Sequence, residues 1–246
     1  MQKNMQKVTK TSLWSLRLSV LAIALAFISV GAFRLDLLDF RLSLLGMVGA
    51  VFVALSGIML SLICLFGSRQ THIGAARHSP FRAITALVLG LGYIALPLNS
   101  VVQGYDKPLI HDISTDLENP PQFVAIEKMR APTDNPLALK PDFMEAQKKA
   151  YPDIGPLMLP LSPQETFDKA MININAMGWE VMAAARAEGR IEATATTALF
   201  GFRDDVMVRI VPAEGGSRLD MRSVSRVGKS DLGANAERIR QFLDMF

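Results

Sequence analysis

Cysteine and histidine are scarce in this chain, and their scarcity removes several chemistries at once. The 246 residues hold one cysteine, Cys64, set inside an apolar run, which excludes a disulfide framework and a cysteine-based metal site. Of the three histidines, His72 and His78 precede residue 105 and only His111 follows it, so a His/Cys zinc site cannot be assembled in the C-terminal part. A metal there would need oxygen ligands, as calcium or magnesium accept. Neither a metal nor a cofactor is expected.

Acidic residues are nearly missing from the first 104 positions, where two of them stand against nine Lys/Arg. From Tyr105 onward the balance reverses to twenty-one acidic residues against seventeen basic ones. The basic pI of about 9.1 therefore belongs to the first part alone. A nucleic-acid-binding domain carries its own basic patch, so nucleic acid is not expected as a partner.

What the first part has instead is three long apolar runs. Leu16–Phe33 carries only Arg17, and Leu42–Phe66 and Ala83–Val102 carry no charge. Each approaches the roughly 20 residues that cross a hydrocarbon core about 30 Å thick. The sequence predicts three transmembrane helices within residues 1–104, near 16–33, 42–66 and 83–102. Lys3, Lys7, Lys10 and Arg17 before the first run, with Val30-Gly31-Ala32 near its end, also fit a cleavable signal peptide. The length of the run and the lack of a polar stretch after it favour an uncleaved helix.

Lys/Arg in the flanks set the orientation. Lys3, Lys7, Lys10 and Arg17, with Arg69, Arg77 and Arg82 in the Gly67–Arg82 loop, outnumber Arg34, Arg41 and Lys107 on the other side. The N-terminus and that loop are expected in the cytoplasm, and residues 105–246 on the periplasmic or extracytoplasmic side of an inner membrane. Beyond Arg17 at the start of the first run, no charged residue marks an ion or proton path through the runs. Gly46, Ala50 and Ala54, and Ala86 with Gly90, are spaced for close helix packing. Packing within the chain is the first reading of these stripes, and contact between copies the second. The membrane part reads as an anchor.

In the exposed part, Tyr105–Pro121 reads as a turn-rich lead-in, in which His111, Asp112 and Asp116 lie close together. Pro132–Pro160 holds six prolines around one helical island at Asp142–Tyr151, a surface connection placed to cover an edge of the sheet that follows. Ser162-Pro163-Gln164-Glu165 is a capping box with proline at the first helical position, and Phe167, Met171 and Ile174 follow at helical spacing.

Four strands are predicted next, at Trp179–Ala185, Arg190–Ala198, Arg203–Val211 and Arg218–Arg226, the last two joined across Glu214-Gly215-Gly216. With Val211 opposite Arg218, Ile210 meets Leu219 and Val208 meets Met221, whereas a one-residue slip would turn one apolar row outward. That register sets Arg209 against Asp220, and Asp205 diagonally between Arg222 and Arg226. Ser230 or Asp231 is expected to cap a final helix whose buried stripe is Leu232, Ala236, Ile239 and Leu243. The expected fold is a helical anchor plus an α+β domain, with a four-stranded antiparallel sheet in the order α-β-β-β-β-α.

The last half resembles a known family on specific residues. They are Ile191-Glu192-Ala193, Gly201-Phe202-Arg203-Asp204-Asp205, then Arg222-Ser223, Ser225-Arg226, Gly228, Ser230-Asp231, Gly233, Asn235 and Arg238-Ile239. This set is similar to the bacterial and plastid proteins grouped as domain of unknown function 1499. His111-Asp112-Ile113-Ser114-Thr115-Asp116 through Pro120-Pro121 resembles the family's start, without the cysteine common there. The resemblance implies an envelope- or lumen-facing domain and supplies no catalytic residues.

Two classes of function are open to such a domain. One is a non-enzymatic binding or assembly module whose partners are the bilayer and an envelope lipid or protein. Its candidate anion or ligand site is Arg226, Lys229, Asp231, Asn235 and Arg238 around one helix N-terminus, beside a structural charge network of Asp204, Asp205, Arg209, Asp220 and Arg222. Pairing of these arginines with Asp204, Asp205 and Asp231 would instead make the whole cluster structural. The alternative is a hydrolase acting on an envelope component through Asp204, Asp205 or His111, the last with Ser223 or Ser225.

Overall fold

A computed structural model describes residues 2–69 and 80–246, with side chains from residues 10–66 and 80 onward. Residues 70–79, which hold Arg77, His72 and His78 of the expected cytoplasmic loop, lie outside the described residues. The chain divides into two compact units, residues 1–102 and 103–246.

The first unit is built from α1 (Gln2–Arg34), α2 (Phe40–Arg69) and most of α3 (Phe81–Gly104). Each contains a span long and apolar enough to cross a membrane: Lys10–Arg34, Phe40–Phe66 and Phe81–Gly104. Large apolar side chains such as Phe27, Phe52 and Phe66 point outward, while the small ones are buried: Ala22, Ala50, Ala54, Ala83 and Ala86 are all fully enclosed. A Cβ on Gly46 would collide with the Ser29 hydroxyl, and one on Gly57 would come within 2.8 Å of the Ser19 hydroxyl. The small-residue stripes thus pack helix on helix within the chain. Serine and tyrosine hydroxyls tie the helices across these contacts: Ser19 and Ser61 donate to the Ala86 and Ala83 carbonyls at 2.8 Å, and Tyr93 to that of Met47 at 3.0 Å.

The second unit is an antiparallel sheet with helices on one face. Its strands are β1 (Asp112–Ser114), β2 (Leu157–Leu159), β3 (Glu180–Ala185), β4 (Arg190–Thr196), β5 (Arg203–Ala213) and β6 (Gly216–Ser225). They lie in the order β1-β6-β5-β4-β3, with β2 also on β6. The expectation of four strands is corrected to six, and the lead-in is not merely a linker. β1 and β2 line up end to end along the free edge of β6, pairing with Arg222–Val224 and Ser217–Leu219 respectively. Three residues are too few to show an alternating pattern, so the strands exist because β6 offers an unpaired edge. The far side of β1 is closed by α4 (Pro141–Ala150), where the Gln147 carboxamide both accepts from the Ser114 amide (3.0 Å) and donates to its carbonyl (2.7 Å).

The β5–β6 hairpin has the register expected from its apolar rows, with Ile210 opposite Leu219, Val208 opposite Met221 and Arg209 opposite Asp220. Ile191, Ala193, Val206, Val208, Ile210, Leu219 and Met221 line one face of the sheet and pack against α5 (Pro163–Ala176) and α6 (Ala234–Leu243). The capping box starts α5: Ser162 Oγ accepts from the Glu165 amide at 3.3 Å and the Glu165 carboxylate accepts from the Ser162 amide at 2.9 Å. Helix α6 begins at Ala234, because Leu232 and Gly233 take left-handed φ values of +54° and +88°. Leu232 is consequently exposed rather than part of the buried stripe, and Phe242 joins Ala236 and Ile239 there.

The second face of the sheet alternates in the usual polar positions, yet it too is buried. Glu192, Asp205, Asp220 and Arg222 are all fully enclosed. The chain between β1 and α4 crosses over them, seating Phe123 and Ile126 against Met207 and Val224.

Candidate functional site

The polar face owes its stability in burial to hydrogen bonding at each carboxylate, since an unpaired buried charge is prohibitively costly. Glu192 receives the backbone amides of Val124 (3.1 Å), Ala125 (3.0 Å) and Ile126 (2.8 Å) at the start of a 3₁₀ turn, together with Arg190. Asp205 lies between two arginines, Arg130 at 2.8 Å and Arg226 at 2.8 Å, and also accepts from the Thr194 hydroxyl at 2.9 Å. Asp220 and Asp116 share Arg209 and Arg218 in a four-membered ring of charges.

Arg222 has a different partner from the one its hairpin position implies. Its guanidinium grips Asp112 of β1 through both oxygens, at 2.9 and 2.7 Å, and donates to the carbonyls of Pro121 and Leu137. It also lies over the Phe123 ring, 5.7 Å from the centroid. Of the two arginines expected to flank Asp205, only Arg226 bonds it, and Arg130 takes the place expected of Arg222.

The five residues of the candidate ligand site fall into separate places. Arg226 lies on the polar face with Asp205. Arg238 and Asn235 lie on the opposite, helix-covered face. There Arg238 pairs with Asp204 (2.5 Å) and donates to Ser223 Oγ (3.0 Å) and to Asn235. Asn235 is fully buried and ties the parts together, donating to the His111 carbonyl (3.1 Å) and Ser225 Oγ (2.9 Å) and accepting from Ser223 Oγ (2.7 Å). Asp231 accepts from the Gly233 and Asn235 amides at 2.9 Å each, so the helix N-terminus already holds a carboxylate. Burial raises the Asp231 pKa above the ordinary range, and those two amides offset only part of that effect. Lys229 is exposed.

The proposed hydrolase groups do not converge. Asp204 and Asp205 point to opposite faces, each held by its own arginine. Among the described residues, no hydrogen bond joins the His111 ring to Ser223 or Ser225, whose hydroxyls are both engaged by Asn235. The His111 ring packs edge-on against Phe143 at 4.9 Å, and its buried Nδ1 has no hydrogen-bond partner among the described residues. Burial depresses its pKa, outweighing the nearby Asp112 carboxylate. The described residues contain no cluster of three or more metal-ligating side chains.

One cleft opens on the α6 side, with a volume of about 490 Å³ and a lining of Met177, Trp179, Ala234, Glu237, Arg238 and Gln241. Trp179 stacks on Phe242 at 5.5 Å, and Arg238 joins the cleft to the buried Asn235 network. Arg238 belongs both to this lining and to the candidate site read from the sequence, whereas Trp179 and Gln241 were not singled out there; the i, i+3, i+4, i+7 spacing of Ala234, Glu237, Arg238 and Gln241 places those four on one face of α6.

No curated protein and no solved structure matches the chain. A family described as "Protein of unknown function (DUF1499)" matches residues 112–246. That stretch is the sheet domain from the first residue of β1 to the last residue of the chain, more than half its length, and the chain belongs to the DUF1499 family.

Proposed function

We propose that the chain is a membrane-anchored, non-enzymatic binding module whose domain faces the extracytoplasmic side and recognises an envelope lipid or protein. The observation that carries this reading is the open cleft along α6, bordered by Trp179 and Arg238. The surrounding charges are engaged with one another, which leaves a stiff frame around the cleft and suits binding without reorganisation. The excess of Lys/Arg in the N-terminal flank supports the orientation.

Trp179 supplies the test. With Trp14 changed to Phe, Trp179 is the sole tryptophan, and envelope lipid and protein fractions are titrated against the full chain. The reading expects one fraction to shift Trp179 emission, and expects Ala234→Phe, which fills the cleft, to abolish that shift. Emission unmoved by every fraction, or moved equally in the Ala234→Phe protein, would count against it. A reporter active only outside the cytoplasm, fused after Phe246, tests the orientation separately.

A further inference from the structure

The strand register places the point where the chain arrives from α3 at the same end of the sheet as an exposed apolar hairpin tip. Asp112, the first residue of β1, is opposite Val224 near the end of β6; Asp204 at the start of β5 is opposite Ser225; and Thr196 at the end of β4 is opposite Arg203. The β4–β5 tip, residues 197–202, therefore projects from the end at which β1 begins. Two strand spacings separate β1 from β5, a lateral offset of about 10 Å. Only five residues lie between Gly104, the last of α3, and Ile110, the first core residue of the domain, a span of six residue steps. Fully extended they reach about 20 Å, so this end of the domain stays close to wherever α3 leaves the bilayer.

The tip is built for an apolar boundary. Its backbone closes on itself: the Gly201 amide donates to the Thr197 carbonyl, and the Thr197 amide to the Phe202 carbonyl, both at 2.9 Å. The Thr197 hydroxyl takes the Phe202 amide at 2.9 Å. With those groups satisfied internally, the tip can enter a low-dielectric layer at little cost. Leu199 is 57% exposed, and Phe200 and Phe202, both half-buried, stack at 5.2 Å with their rings nearly parallel. The same end presents exposed Tyr105, Leu109 and Leu232, with basic Lys107, Arg203 and Lys229 among them and acidic Asp106 and Glu180 beside them. Aromatic and apolar groups mixed with Lys/Arg are the composition that favours the membrane–water interface.

We propose that the Leu199-Phe200-Gly201-Phe202 tip inserts into the interfacial layer of the bilayer that anchors the chain, giving the domain a second membrane contact and a fixed orientation. The inference rests on the membrane reading of α1–α3 and is independent of the cleft.

Site-directed spin labelling of the full chain tests it. In a Cys64→Ser background, Leu199→Cys, Phe200→Cys and, at the opposite end, Glu214→Cys are each labelled in phosphatidylethanolamine/phosphatidylglycerol vesicles. The ratio of oxygen to nickel-chelate collisions is expected to be several-fold higher at 199 and 200 than at 214. Equal ratios at the three positions overturn the proposal. So does dipolar broadening at 200 that disappears on dilution with unlabelled chain, which would identify a second copy as the occupant. Flotation with the vesicles reports the anchor separately: protein that does not float removes both readings, and protein that floats with a water-exposed tip removes this one alone.

Discussion

Removing Asp112 would leave the Arg222 guanidinium buried without its counter-charge, and the outcome discriminates between two accounts of the polar face. Arg222 and Asp112 side chains are 1% and 2% exposed, so water cannot replace the lost carboxylate without opening the cover. Breaking a buried pair by deleting one partner costs about 3–5 kcal/mol. The carbonyls of Pro121 and Leu137 continue to accept from the guanidinium, which favours the lower half of that range. Against a total stability of about 5–15 kcal/mol, Asp112→Ala should lower the unfolding midpoint of residues 103–246 by roughly 10–20 °C.

Removing both charges should cost less than removing one. In Asp112→Leu with Arg222→Met no charge is stranded, and the new side chains lie beside Phe123, Met207 and Val224. What remains lost is the donor to the buried Pro121 carbonyl, about 1–3 kcal/mol. The double variant is thus expected to be more stable than Asp112→Ala alone, in denaturant unfolding followed by circular dichroism. A loss below about 1 kcal/mol in Asp112→Ala, the range of exposed pairs, would refute the argument. So would a double variant no more stable than the single.

Three further outcomes follow from the same face and the α6 N-terminus. Glu192→Ala should cost more than about 3 kcal/mol by orphaning three amides, with Glu192→Gln intermediate; hydrogen exchange at Val124, Ala125 and Ile126 should accelerate in both. His111 has a folded pKa below its ordinary value of about 6.5, so its contribution to stability is present above that value and is lost as pH falls below it. His111→Phe should flatten the decline in unfolding midpoint between pH 7 and pH 5. Asp231 has the opposite sign: its raised folded pKa gives a contribution present below the ordinary value of about 3.9 and lost as pH rises through the folded one. Asp231→Asn should therefore gain stability relative to the unaltered chain between pH 4 and pH 7, measured as the difference in unfolding midpoint.

The parts of the fold legible in the sequence are those set by short-range physics. The capping box at Ser162 and Glu165 is a four-residue arrangement, and the β5–β6 register is fixed by two facing apolar rows joined through a tight turn at Gly215, whose φ is +77°. β1 and β2 were not legible because neither has a pattern of its own. Each takes its place from the edge of β6, a strand that lies more than fifty residues further along the chain. Burial of the polar face was hidden for a related reason. Glu192 and Thr194 alternate with Ile191 and Ala193 as solvent-facing residues would; the crossing Val124–Ile126 amides with Arg190 make the burial of Glu192 tolerable, and Asp205 accepts from Thr194.

The candidate site shows how far parity could have carried the reading. Arg226 and Asn235 are nine positions apart and both near the α6 N-terminus, which made one cluster of them in the sequence. Along β6, however, Arg226 shares the face of Val224 and Arg222, while α6 packs on the face of Ser223 and Met221. A helix covering the apolar row must bring Asn235 and Arg238 to Ser223 and Asp204, with Arg226 on the far side of the sheet. The alternation already used to fix the hairpin register was enough to separate them. It was not enough to find the other half of each pair, because Asp112 precedes its partner Arg222 by 110 residues and Arg130 precedes its partner Asp205 by 75. Long-range ion pairs of this kind carry no periodicity, and only the path of the covering segment makes them visible.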